Sequence, residues 1–155
     1  MDIVIKKNIE KLSEIKDAFK MFSDSLDMIA YLIDIGKSSH NMSDEEKTDD
    51  NIIRGCTSKA WIIVSKLSDE EYHIRTDSDS HIVSGLLYLL SLSVNNQSKD
   101  FIDRVNAIEI LNSIGLDGKI TSQRTNGFLS AVNKIQNQIK FIGKAWVPFY
   151  MIIQF

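Results

Sequence analysis

Residues 59–66 (KAWIIVSK) and 70–76 (EEYHIRT) are two strand-like runs rich in β-branched and aromatic side chains, with only Leu67, Ser68 and Asp69 between them. Strands that follow one another with no helix between them pair antiparallel, which argues against a chain of βαβ units. Residues 51–54 (NIIR) offer a third, shorter strand.

Helical periodicity lies on both sides of this hairpin. Ile5, Ile9, Leu12, Ile15 and Phe19 recur at spacings of three and four with lysines and glutamates between them, which predicts an amphipathic helix over 5–19. Ser23 or Asp24 can cap a second helix that ends at Gly36. Residues 37–50 are polar and densely acidic, without apolar periodicity, and read as a solvent-exposed connection. After the hairpin, residues 81–90 are apolar on most sides, as expected of a central helix packed on the sheet. Short helices follow near Phe101 and over 107–111, and a last one over 125–140 with Phe128, Leu129, Val132, Ile135 and Ile139 on one face. The fold class is α+β, with an antiparallel sheet between N-terminal and C-terminal helices.

Apolar residues make up 43% of the 155 positions and charged residues 25%, enough for one hydrophobic core and unlike a disordered chain. A formal net charge of -3 supplies no overall attraction to nucleic acid or anionic membrane. The first residues show neither a signal-peptide apolar run nor transit-peptide character, and the apolar stretch 145–155, broken by Pro148, is too short to span a bilayer. One cysteine permits no internal disulfide. The expected location is the cytoplasm or an organelle matrix, with no nucleic-acid or membrane partner.

That cysteine, Cys56, is the leading candidate for chemistry. Gly55 suits a tight bend that projects the next side chain, and Arg54 and Lys59 bring positive charge that favours a thiolate. Taken alone, the segment fits a small buried hydrophobe better than a working thiol. A cysteine hydrolase lacks a companion histidine motif, and Cys56 with the scattered His40, His73 and His81 lacks ligand-pair spacing, so no metal is expected. Asp77, Ser78 and Asp79 ahead of His81 resemble a metal or phosphoryl-transfer cluster, yet they fit the capped start of an apolar helix better. Ser13 and Lys16 match a serine–lysine pattern without its companions and belong to the polar face of the first helix. Thr121 and Ser122 can cap the last helix. Arg124 then falls in or near its first turn, where a cation needs a partner, and Asp79 is a natural one.

Three segments in this order resemble the SufE/CsdE family of sulfur acceptors: RGCTSKAW at 54–61, DSDSHIVSGL at 77–86 and SQRTNG at 122–127. The similarity extends from about Ile9 to Gln138. It implies a compact domain, residues 1–140, with a three-stranded antiparallel sheet flanked by helices and Cys56 at the tip of a loop. It further implies that Cys56 receives persulfide sulfur from a SufS/CsdA-like, pyridoxal-phosphate cysteine desulfurase, stimulates that enzyme and passes sulfur toward an iron–sulfur scaffold complex. Arg54, Gly55, Asp79 and Arg124 then stand as supporting residues near the loop. The desulfurase holds the cofactor; this chain, an accessory protein rather than an enzyme, holds none.

Two other classes stay open: a thiol enzyme or redox sensor pairing Cys56 with His73 or His81, and a non-catalytic interaction module. The sequence departs from the family in lacking its prolines before Asn51 and at Gln123. It also carries an apolar extension, residues 141–155 (FIGKAWVPFYMIIQF), which must pack on the domain or lie in a contact such as a homodimer. A hydrophobic pocket under the loop, with Trp61 contributing, is expected to shelter the thiol.

Overall fold

The computed structural model describes residues 3–55, 57–68 and 70–144. The hairpin forms as expected. Strand β1 (Ala60–Ser68) pairs antiparallel with β2 (Glu71–Ser78), with Ala60 opposite Ser78, Ile62 opposite Thr76 and Lys66 opposite Tyr72. Each strand ends two residues beyond the propensity signal, and the register shifts between Lys66 and Ser68. On β2 the alternation is regular: Tyr72, Ile74 and Thr76 are buried, while His73 and Arg75 are half-buried.

The third strand does not form among the described residues. Ile52 bridges to Trp61, and the Ile53 amide donates to the Ala60 carbonyl at 2.7 Å, but the contact goes no further. A 3-10 turn at Asp49–Asn51 consumes the residues ahead of it, and Gly55 turns the chain with φ 86° just after it. The short apolar run therefore serves as a bridge between two bends, and the sheet has two strands.

Helices α1 (Ile3–Met21) and α2 (Ser25–Lys37) precede the hairpin; α3 (His81–Val94), α4 (Lys99–Asp103), α5 (Ala107–Ile114) and α6 (Ser122–Lys144) follow it. Side-chain caps set several of the starts. Asp24 accepts from the Leu26 amide, Ser80 from Val83, Ser98 from Phe101 and Asn106 from Glu109. Thr121 does the same for the Arg124 amide, so α6 begins at Ser122, three residues before the expected start at 125.

Helix α3 is central, with Leu86, Leu87, Leu89 and Leu90 buried against the sheet and neighbouring helices. The segment that leaves it closes the outer edge of β2. Ile74 donates to the Asn95 side chain at 2.6 Å, Tyr72 donates to the Gln97 carbonyl, and the Tyr72 carbonyl accepts from Asn96, whose φ is 64°.

Helices α2 and α3 cross at backbone distance. A Cβ on Gly36 would sit 1.7 Å from the His81 carbonyl oxygen, and one on Gly85 would sit 2.3 Å from that of Leu32. Alanine normally gains about 1 kcal/mol over glycine inside a helix, but forced overpacking costs roughly 1–3 kcal/mol or more. Backbone cannot swing aside as a side chain can, so the clash wins. Gly85→Ala is expected to lower stability by about 2 kcal/mol, read from its urea unfolding midpoint; a midpoint at or above the parent's would show that the helices separate freely.

Candidate functional site

The loop that leads to Cys56 stands where the hairpin opens, between the starts of α3 and α6. Cys56 itself lies outside the described residues. On its N-terminal side Arg54 is exposed, and Gly55 passes so close to α6 that an added Cβ would lie 3.0 Å from the Ser130 hydroxyl. The positive φ and this approach both favour glycine at the position. On the other side the Lys59 carbonyl accepts from the Ser78 hydroxyl at 2.7 Å and from the Asp79 amide at 3.1 Å. Both ends of the loop are thus held by secondary structure.

A cleft of about 120 Å³ adjoins the loop, lined by Thr57, Ser58, Val83, Thr121, Gln123 and Arg124. Deeper in, Ile53, Ala60, Leu86 and Phe128 line an apolar recess of about 10 Å³ that Arg124 and Gly127 also border. Trp61 lines neither, contrary to expectation. It is buried under the Lys47 ammonium, which lies 5.4 Å from its ring centre. Arg124 is half-buried in the first turn of α6 and faces the cleft, whereas Asp79 is exposed. Among the described residues no salt bridge joins the two, so the expected Asp79–Arg124 pair is not made. The guanidinium and the amino end of α6 therefore give the cleft a positive character.

The cap assigned to residues 77–80 belongs to Ser80 alone. Asp77 is the next-to-last residue of β2, is buried, and turns toward the acidic connection. It receives the His40 ring nitrogen Nδ1 at 2.5 Å, the Met42 amide at 3.3 Å and the Ser78 amide at 2.8 Å, with Lys47 Nζ 3.7 Å away. Burial pushes its carboxyl upward, but the hydrogen bonds from His40, Ser78 and Met42 and the Lys47 charge outweigh burial and hold it below the ordinary range. His40 also meets His81, Nε2 to Nδ1, at 3.3 Å. His73 lies elsewhere, opposite Ser65 in the hairpin. Local pattern carries no signal of the Asp77–His40–His81 chain, because 37 positions separate Asp77 from His40.

The connection is pinned as well as polar. Arg75 grips Glu46 with both guanidinium nitrogens, Nη1 to Oε1 at 3.1 Å, and the Asn51 side chain donates to the Glu46 carbonyl at 2.8 Å. Met42 is buried. Among the described residues no group of three or more His, Cys, Asp or Glu is placed to hold a metal ion, and no helix is long and apolar enough to cross a membrane.

Comparison with known proteins gives the family and the fold. Residues 13–139 match the family described as SufE, an Fe-S metabolism associated domain. The chain belongs to the SufE family. An uncharacterized SufE-like protein of Rhizobium etli is 33% identical over 132 residues, covering 83% of this chain and 89% of the relative. One from Rhizobium meliloti is 31% identical over 130 residues, covering 82% and 93%. The solution structure of a hypothetical protein from Thermus thermophilus superposes with a TM-score of 0.66 over 87% of this chain and 97% of its own, at 14% identity, and thus shares the fold.

The Arg75 clamp makes stability depend on pH. Its hydrogen bonds, with that of the Ser43 amide, hold the Glu46 carboxyl down from 4.5 to about 2. A carboxyl depressed by folding adds stability that is complete above its unfolded value and lost as pH falls toward the folded one. Glu46→Gln should therefore flatten the decline in urea midpoint below about pH 4.5, by a modest amount because the pair is partly solvated. Parallel pH curves for variant and parent would contradict this.

Proposed function

We propose that this chain is a sulfur acceptor and carrier that takes persulfide sulfur from a cysteine desulfurase onto Cys56, stimulates that enzyme and delivers sulfur for iron–sulfur cluster assembly. The observation that carries this reading is the family match over residues 13–139, with the chain's only cysteine inside the segment 54–61. The Cys56 thiolate attacks the outer sulfur of the donor's persulfide. A new sulfur–sulfur bond forms on Cys56, the donor's own sulfur–sulfur bond breaks, and the donor cysteine leaves as a thiolate. No outside oxidant or reductant is needed.

The surrounding residues suit that step. Gly55, with its positive φ, supplies a bend immediately before the thiol in the sequence. Arg54, Lys59 and Arg124 supply positive charge that favours the attacking thiolate, and the loop's held ends limit its wandering. Asp79, exposed beside the loop, is available to a partner's cation. In this reading the chain acts in the cytoplasm as an accessory protein without a cofactor of its own, working with a desulfurase and a cluster scaffold. Residues 1–140 make up the sulfur-acceptor domain. Helix α6 continues past that boundary to Lys144; the rest of the apolar extension, 145–155, lies outside the described residues.

Incubation with a cysteine desulfurase and cysteine is expected to raise the intact mass by one sulfur atom, and Cys56→Ser to abolish the gain. Sulfur retained on the serine variant, or no adduct with desulfurases of this pathway, would overturn the reading.

A further inference from the structure

We propose that His40 and His81 form a two-histidine site for a divalent transition-metal ion of borderline softness, with zinc as the reference ion. The distance fits. Zinc bound to imidazole nitrogens at about 2.0–2.1 Å in tetrahedral geometry sets neighbouring ligand nitrogens about 3.3–3.4 Å apart, and His40 Nε2 lies 3.3 Å from His81 Nδ1. The rings are tilted 67° to one another, with centres 5.4 Å apart, so the two nitrogens meet without the rings stacking.

His40 is already oriented as a metal ligand. Its Nδ1 hydrogen points to the Asp77 carboxylate at 2.5 Å, which leaves the Nε2 lone pair to accept from His81 Nδ1; a bound ion takes the place of that shared hydrogen, with His81 in its Nε2–H tautomer. A carboxylate behind a histidine in this manner fixes its tautomer and raises its basicity as a ligand. Asp77 is held rigidly for the purpose: it is 1% exposed, belongs to a strand and accepts two backbone amides. Lys47 neutralises part of the charge from the Oδ2 side, while Oδ1 takes His40 and the Ser78 amide. The His40 side chain is 36% exposed and His81 lies at the surface, so an ion can enter from solvent.

Two features limit the affinity. No third protein ligand joins the pair among the described residues, so the other positions fall to water. The ion would also sit at the first residue of α3, whose positive end opposes a cation; the buried carboxylate offsets that. A bound ion would tie the acidic connection to α3, since His40 belongs to the first and His81 to the second.

Zinc titration of the full-length chain in a Cys56→Ser background, which removes the competing thiol, tests the proposal. One zinc per chain is expected, with binding about tenfold or more weaker in His40→Gln and in His81→Gln and an intermediate loss in Asp77→Asn. His73→Gln should bind as the parent does. Imidazole nitrogen resonances of the chain with all three histidines intact give a readout free of folding defects: those of His40 and His81 should shift together on adding zinc while His73 stays put. No binding at sub-millimolar zinc, unchanged binding in both histidine variants, or shifts confined to His73 would overturn it.

Discussion

Everything around the loop takes its position from the backbone contact between α2 and α3. With no side chain on Gly36 or Gly85, the two helices touch through carbonyl oxygens, and α3 is fixed at its first turn as well as along its length. That first turn borders the cleft beside Thr57 and Ser58. The same contact decides where α2 ends, and so where the connection to the hairpin must set out. A looser crossing would displace the loop and its cleft together.

The connection itself joins the two halves of the domain through charge. Its glutamate meets an arginine of β2, its lysine covers Trp61, and its histidine reaches the buried Asp77. These pairs are worth little singly when solvated. Asp77 is different, because removing one partner of a buried carboxylate leaves a charge that nothing else compensates. The acidic stretch thus behaves as a strap over the hairpin mouth, with most of its remaining carboxylates turned to solvent.

The parts of this architecture that depend on local pattern were legible in the sequence. The hairpin, the capped second helix and the apolar central helix follow from periodicity and from Asp24 at its expected place. What was not legible depends on partners far apart in the chain. Residues 51–54 have strand propensity, but the turn before them and Gly55 after them leave room for one bridge only. Asp77 looked like a cap and is bound to a histidine 37 positions away, while Trp61 was expected in a pocket and lies beneath a lysine. Motif alone proposes the site residues and says nothing of their spatial relations: among the described residues Asp79 and Arg124 make no pair.

The hydrogen bonds that α3's exit makes to β2 bear on how this molecule can be recognised. With the Tyr72 amide and carbonyl and the Ile74 amide already bonded to Gln97, Asn96 and Asn95, the stretch of the β2 edge around Tyr72 and Ile74 is closed. An extended peptide cannot join there as an extra strand, and self-assembly by edge pairing is blocked on the same side. Along that stretch recognition is left to side chains rather than to backbone pairing.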